Sequence, residues 1–333
     1  MRANRRLIIG GFSLIELMVS LVIALIVISG VLQVVLNSRK SGIDNQELAQ
    51  IQENARFAVD VLSREIRMAG YLGCVAAPSG SVQMGATTLD MGNFLNLQQN
   101  GVLQSVVGLT QTDGVTGQFE QQMLDGTDAI VLRRSSNRVE ASLNAALGAT
   151  APNVTLAPNT DTSGFQTGWP VVISSPNCED ALVISDLTVN QGGTLTGVTG
   201  FAGADLAPWV VGSSISPLEV SAYYIANSTV VDNTPALKRE IMVPNAAGTG
   251  VTSRTEELAL GVEDMQIEYV ERGLNGGLLR SPNAPSDWTQ LVAVNIQLVL
   301  RSQSEVHLDD QTTVFHGRTF EDRFLRQIVS TTV

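Results

Sequence analysis

The sequence predicts an α+β fold: one long N-terminal helix packed on an antiparallel β-sheet that carries large loop insertions. Three observations predict it. An apolar run, Phe12 to Leu36, lies near the start of the chain and holds one charge, Glu16. A helical stripe follows, with Leu48, Ile51, Ala55, Val59, Leu62, Ile66 and Ala69 at steps of three and four. Beyond Gly70 the period changes, and short strand-like runs alternate with Gly-, Asn-, Ser- and Thr-rich stretches. A helix first and strands afterwards indicate segregated layers rather than alternating βαβ units.

The first eleven residues are basic, with Arg2, Arg5 and Arg6, and end in Gly10-Gly11. The next segment, 12–36, would span roughly 37 Å as a helix, against about 30 Å for a bilayer core. It is longer than the roughly 7–15 residues of a secretory h-region, and no small-residue cleavage site lies near Leu36. The segment is therefore expected to remain as a transmembrane helix. The arginines place the N-terminus in the cytoplasm, weakly opposed by Arg39 and Lys40 on the far side. The rest of the chain is then extracytoplasmic. Residues 37–70 continue the helix in amphipathic form to about Ala69, with Gly70 as its C-cap. Gly30 and Gly42 are expected bending points. Arg56–Asp60 and Asp60–Arg64 have the spacing of supporting ion pairs.

Residues 71–333 read as a β-rich domain. The strand-like runs are Ala129–Leu132, Val171–Ile173, Ala181–Ile184, Val220–Ala226, Met265–Val270, Leu291–Leu300 and Phe324–Val333. Along Val292–Leu300 the alternation puts Val292, Val294, Ile296 and Leu298 on one face, with Asn295 and Gln297 on the other, as in a half-buried antiparallel strand. The stretches 76–126, 140–168, 190–214, 243–256 and 271–289 are expected to be surface insertions. No repeat of fixed period runs through the chain.

Composition excludes several function classes. The 333 residues hold 20 Lys+Arg against 32 Asp+Glu, a net charge of −12 with pI near 4.6, which argues against a nucleic-acid partner. A hydrophobic share of 44% excludes wholesale disorder. Two Cys and two His do not have the spacing of a zinc site. Cys74 and Cys178 are either buried thiols or one disulfide, and an oxidising extracytoplasmic compartment favours the bridge. The sequence has no G-x-S-x-G, Walker A, H-E-x-x-H or dinucleotide-binding motif in a suitable context. No enzyme activity, cofactor or resident metal is expected. His307 and His316, near Asp309-Asp310, read as exposed strand residues before they read as metal ligands. Glu256-Glu257 and Glu263-Asp264 read as a solvated acidic face before a calcium site. Arg133-Arg134 with Arg138 reads as a solvated strand end before a contact to DNA or an acidic partner. Trp169, Trp209 and Trp288 read as core or loop anchors.

Gly11-Phe12-Ser13-Leu14-Ile15-Glu16-Leu17, behind a basic leader and ahead of an apolar run, resembles the processing site of type IV prepilins. The resemblance implies that a membrane aspartic peptidase cuts between Gly11 and Phe12 and then N-methylates Phe12. Residues 1–11 would be the leader, and Glu16 the fifth residue of the mature chain. Its carboxylate would neutralise the new amine of a neighbouring subunit, or its own. The mature balance would be 17 − 32 = −15, since the leader removes three arginines. The family often carries a proline within the span, and none lies between Phe12 and Ala77 here, so the resemblance leaves Ser29-Gly30 as the candidate spot for local melting on assembly.

Further motifs narrow the resemblance. Arg56-Phe57-Ala58, then Arg64 through Cys74, is similar to the PilW minor pilins, as are Gly261 through Ile267 and Val299-Leu300-Arg301-Ser302. Ser330-Thr331-Thr332-Val333 resembles the end of the PilW pattern. A similar glycine-valine-glutamate-aspartate stretch occurs in J-type minor pseudopilins of type II secretion. The resemblance implies a pilin-like fold and a structural role in a tip or priming complex that initiates pilus assembly, with motility or adhesion downstream. The implied partners are the prepilin peptidase, other minor pilins and the major pilin, the inner-membrane assembly platform and a tip adhesin. The implied location is the bacterial inner membrane, with the headgroup periplasmic, and then the pilus. Two alternatives stand beside it: a minor pseudopilin, and a periplasmic receptor or adhesin anchored by an unprocessed helix.

Overall fold

The structure is a computed structural model that describes residues 14–76, 81–84, 98–99, 102–103, 106–110, 119–138, 140–147, 154–158, 161–184, 188–190, 194–196, 209–248, 250–273, 277–281 and 290–333. It divides into two compact units, Met1–Gln50 and Ile51–Val333. A helix, Leu14–Met68, supplies the described part of the first and the opening element of the second.

In the first unit the helix exposes every apolar side chain from Leu14 to Leu36. It runs unbroken through Gly30 and Gly42, the expected bending points, and each of those glycines faces open space. Intrahelical hydrogen bonding satisfies the backbone at both positions, so a glycine alone does not bend it. Ser20 Oγ donates to Leu17 O at 2.9 Å and Ser29 Oγ to Ile26 O at 2.7 Å. Both hydroxyls are thereby satisfied within the apolar segment, as a non-aqueous environment requires.

In the second unit the helix buries Ile51, Ala55, Ala58, Val61, Leu62, Glu65 and Ile66. Val59 and Ala69, both in the sequence stripe, are only partly buried, and Ala58 is fully buried in their place. Gly70 ends the helix at φ 79°, as expected of a C-cap. Its N–H donates to Arg133 O at 2.9 Å. The expected pairs Arg56–Asp60 and Asp60–Arg64 are not formed. Arg56 instead reaches Glu53 at 3.4 Å, and Arg64 lies 3.9 Å from Glu65. Both arginines are more than half exposed, so these alternatives differ little in energy.

Two main sheets, rather than one, cover the helix. The nine-stranded sheet runs in the order Val251–Leu260, Pro235–Pro244, Ser214–Asn227, Val171–Ser174, Asp180–Ile184 and Ser81–Met84. Asp128–Ser135 pairs with both Ser214–Asn227 and Val106–Thr110. The pairings are antiparallel except that of 180–184 with 81–84. The second sheet has the order Leu278–Ser281, Val262–Arg272, Leu291–Glu305, Phe324–Thr332, antiparallel throughout. The main core lies between the helix and both sheets. It joins Ala58 and Leu62 to Ile130, Leu132, Tyr223, Ile225, Ile267, Ile296 and Leu298. Alternate residues of the same strands, Ala129, Val131, Ala222 and Tyr224, enter a second core with Phe119 and Met123. Burial on both faces accounts for the unbroken apolar run Ala129–Leu132.

Several expectations need correction. Val251–Leu260 is a ten-residue strand where the sequence suggests a loop to 256. Leu278–Ser281 is a strand within the expected 271–289 insertion. Parts of 140–168 and 190–214 are not mere surface: Leu143, Val154, Leu156, Phe165, Leu195 and Trp209 pack with Ile173 and Leu182 in a third core. On the Leu291–Glu305 strand, Val294, Ile296 and Leu298 face the core as expected, but Val292 is 52% exposed.

Candidate functional site

Gly11 and Phe12 lie outside the described residues. Glu16 sits in the first turn of the helix, among exposed Leu14, Ile15 and Leu17. Unsatisfied N–H groups at a helix start favour an acid by about 0.3–1 kcal/mol in water. In lipid or in a bundle of such helices the same carboxylate needs a cationic partner. Among the described residues this is one helix long and apolar enough to cross a membrane.

Cys74 and Cys178 are joined, 104 residues apart in sequence, with their Cα atoms 5.2 Å apart. The bridge ties the chain just past the helix to the turn between the 171–174 and 180–184 strands. Gly73 and Ser174 lie against each other beside it. Ser174 Oγ donates to Leu72 O at 2.6 Å.

The basic trio does not form one solvated end. Arg133 is fully buried, and desolvation holds its pKa well below the usual guanidinium value. Arg134 lies 2.9 Å from Glu219 and 3.6 Å from Glu65. Arg138 alone is exposed. Alternation explains the split, because Arg133 and Arg134 point to opposite faces of one strand. Sequence reasoning missed Glu65. Its spacing from Ala58 and Leu62 places it inside the buried stripe, and that was the available signal.

The acidic pairs are not a solvated face either. Glu256 receives hydrogen bonds from Arg239 and Arg254, and the Arg239 bond first of all holds its pKa below the usual carboxylate range. Glu257 accepts from buried Lys238 at 2.6 Å. Glu263 lies 2.8 Å from Arg326 and 3.7 Å from Arg301. Asp264, with no exposed side chain, accepts from Arg318 at 2.6 Å. Arg326 also holds Asp322, so these groups lock the hairpin Gln311–Phe315/Arg318–Asp322 to the second sheet. His316 lies in that hairpin's turn, 3.1 Å from Gln297 Oε1. His307 donates its backbone N–H to Arg323 O. Among the described residues no group of three or more His, Cys, Asp or Glu could hold a metal. Trp209 is fully buried and Trp169 is bonded to Leu218 O, both as anchors, while Trp288 lies outside the described residues. The described part of the first unit is an apolar helix with one acid near its start, and the second unit is tied by a disulfide and paired charges.

Comparison with known families gives two matches. Residues 222–333 match the family described as Type IV Pilus-assembly protein W, and residues 9–32 match the prokaryotic N-terminal methylation motif. No curated protein and no solved structure matches the chain. The first match contains the locked hairpin and the Glu263–Arg326 and Asp264–Arg318 pairs. The second contains Gly11, Phe12 and Glu16. With a long N-terminal helix whose second half packs on antiparallel sheets, these two matches, over about a third of the chain and over its N-terminal segment, make it similar to the type IV pilus minor pilins of the PilW type.

Proposed function

We propose that this chain is a type IV pilus minor pilin of the PilW type, a structural subunit of the complex that primes pilus assembly and occupies the pilus tip. The observation that carries the reading is the methylation motif at the head of an exposed apolar helix, on the same chain as the PilW-type sheet. In this reading the peptidase cuts after Gly11 and methylates Phe12, whose amine stays cationic. Glu16 neutralises such an amine, so two charges leave the lipid together and the bundle is favoured over the lone anchor. The segment 12–36 is the membrane and filament-core helix, with its N-terminus cytoplasmic and the headgroup periplasmic. The partners are the peptidase, the assembly platform and other pilins. The role is structural, with no catalysis or cofactor, and it serves motility or adhesion.

Mass spectrometry of sheared pili is the test. The expected result is this chain beginning at N-methylated Phe12. Gly11→Val is expected to leave the leader attached and to keep the chain out of pili. Normal incorporation with the leader intact would overturn the reading. Loss of twitching with intact exoprotein secretion supports a pilus subunit, and the reverse pattern assigns the chain to a secretion pseudopilus.

A further inference from the structure

One turn of the helix in the first unit differs from the rest. It holds Asn37, Ser38, Arg39, Lys40 and Ser41, and follows directly on the apolar run that ends at Leu36. All five side chains donate hydrogen bonds. At 3.6 residues per turn, five consecutive positions go once around the helix, so the donors close a ring. Lys40 is half-buried and the other four are exposed. No acid lies between Glu16 and Asp44. No ion pair joins Arg39 or Lys40 to another described residue, Asp44 included, although Asp44 stands four positions past Lys40.

We propose that this ring grips the phosphate groups of phospholipids at the extracytoplasmic face of the membrane. A phosphodiester is anionic and offers only acceptors, which suits a ring of donors with two cations and no acid. Interfacial Trp and Tyr, the usual anchors of a spanning helix, are absent: no aromatic residue lies between Ser13 and Arg56. The proposal rests on the membrane reading of the helix, and it gives a purpose to two cations that the orientation rule counts as misplaced. It also sets a depth. Glu16 lies 23 residues before Arg39 on the same unbroken helix. That is about 35 Å, against about 30 Å for a bilayer core. With the ring held in one headgroup layer, Glu16 comes to the opposite hydrocarbon boundary and not to mid-depth.

The test places the full chain, isotopically labelled at arginine Cζ, in vesicles of phosphatidylethanolamine and phosphatidylglycerol in phosphate-free buffer. Solid-state NMR dephasing of the Cζ signal by lipid phosphorus is the readout. The expected result is a dephased signal from which Arg39→Gln removes one arginine's share. That difference separates Arg39 from the leader arginines, whether or not the leader has been cut. A dephased signal unchanged by Arg39→Gln, or none in wild type, overturns the proposal. The depth is read separately on the carboxyl carbon of Glu16, assigned by difference against Glu16→Gln. It is expected to take polarisation from water protons ahead of acyl-chain protons, and the reverse order overturns the register. A chain that does not float with the vesicles defeats the membrane reading as well, whereas one that floats without the Arg39 contact defeats this proposal alone.

Discussion

A Cβ on Gly73 would lie 2.2 Å from Ser174 Oγ, at a backbone φ of 74°. The serine cannot retreat cheaply, because its hydroxyl is committed to Leu72 O. Gly73→Ala is therefore expected to cost about 2–4 kcal/mol, from backbone strain and overpacking together. A lower denaturant midpoint and slower closure of the adjacent disulfide would register it. Asp322 supplies a pH prediction. Arg326 hydrogen bonds hold its carboxyl below the usual range. A depressed carboxylate pKa stabilises the fold above the unfolded value, near 4, and that contribution is lost as pH falls further. Asp264 acts oppositely, since desolvation raises its pKa and its charged form opposes folding. Asp322→Asn should flatten the loss of stability below about pH 4 in full-length chain titrated by urea at a series of pH values. Part of this scale was legible in the sequence. Cys74 and Cys178 were the only candidates for a bridge. Arg133 was not legible, because a charge becomes buried through the strands beside it, and those come from residues 106–110 and 214–227.

The helix shows what periodicity carries and where it fails. The sequence places it at Phe12–Ala69, and the described helix runs from Leu14 to Met68. Apolar spacing found the stripe, with Ala58 in place of Val59 at its centre. Leu62 is fully buried and Phe57 is 45% exposed on the opposite side. Leu62→Ala is expected to cost about 2–5 kcal/mol, and Phe57→Ala to stay within about 0.5 kcal/mol of wild type. Denaturant midpoints of the two variants would separate them, and equal losses would contradict this packing. Among the strands, seven apolar runs were legible. Val251–Leu260 was not, because Arg254, Glu256 and Glu257 occupy it. Their partners Arg239 and Lys238 lie on the adjacent strand, so the charges match only after pairing.

For the molecule as a whole, an α+β arrangement with a leading helix was legible, because the order of elements already dictates layers. The division of the described residues into two main sheets, smaller satellites and three cores was not. The third core gathers Leu143, Phe165, Leu195 and Trp209 from stretches that look like loops, since their apolar residues are scattered among Gly, Asn, Ser, Thr and Pro without a helical or alternating period. Such a core exists only through contacts distant in sequence. The Cys74–Cys178 bond spans much of that stretch, and in the chain-entropy model a loop of this length is worth on the order of 4–5 kcal/mol. Replacing both cysteines by Ser should lower unfolding stability by an amount near that, and a reductant should do the same to wild type and nothing to the variant. Two cysteines also permit one intramolecular pairing only. No wrong connection within the chain has to be undone, so maturation calls for an oxidant and not for an isomerase, and strains lacking only the shuffling enzyme should still deliver the oxidised protein.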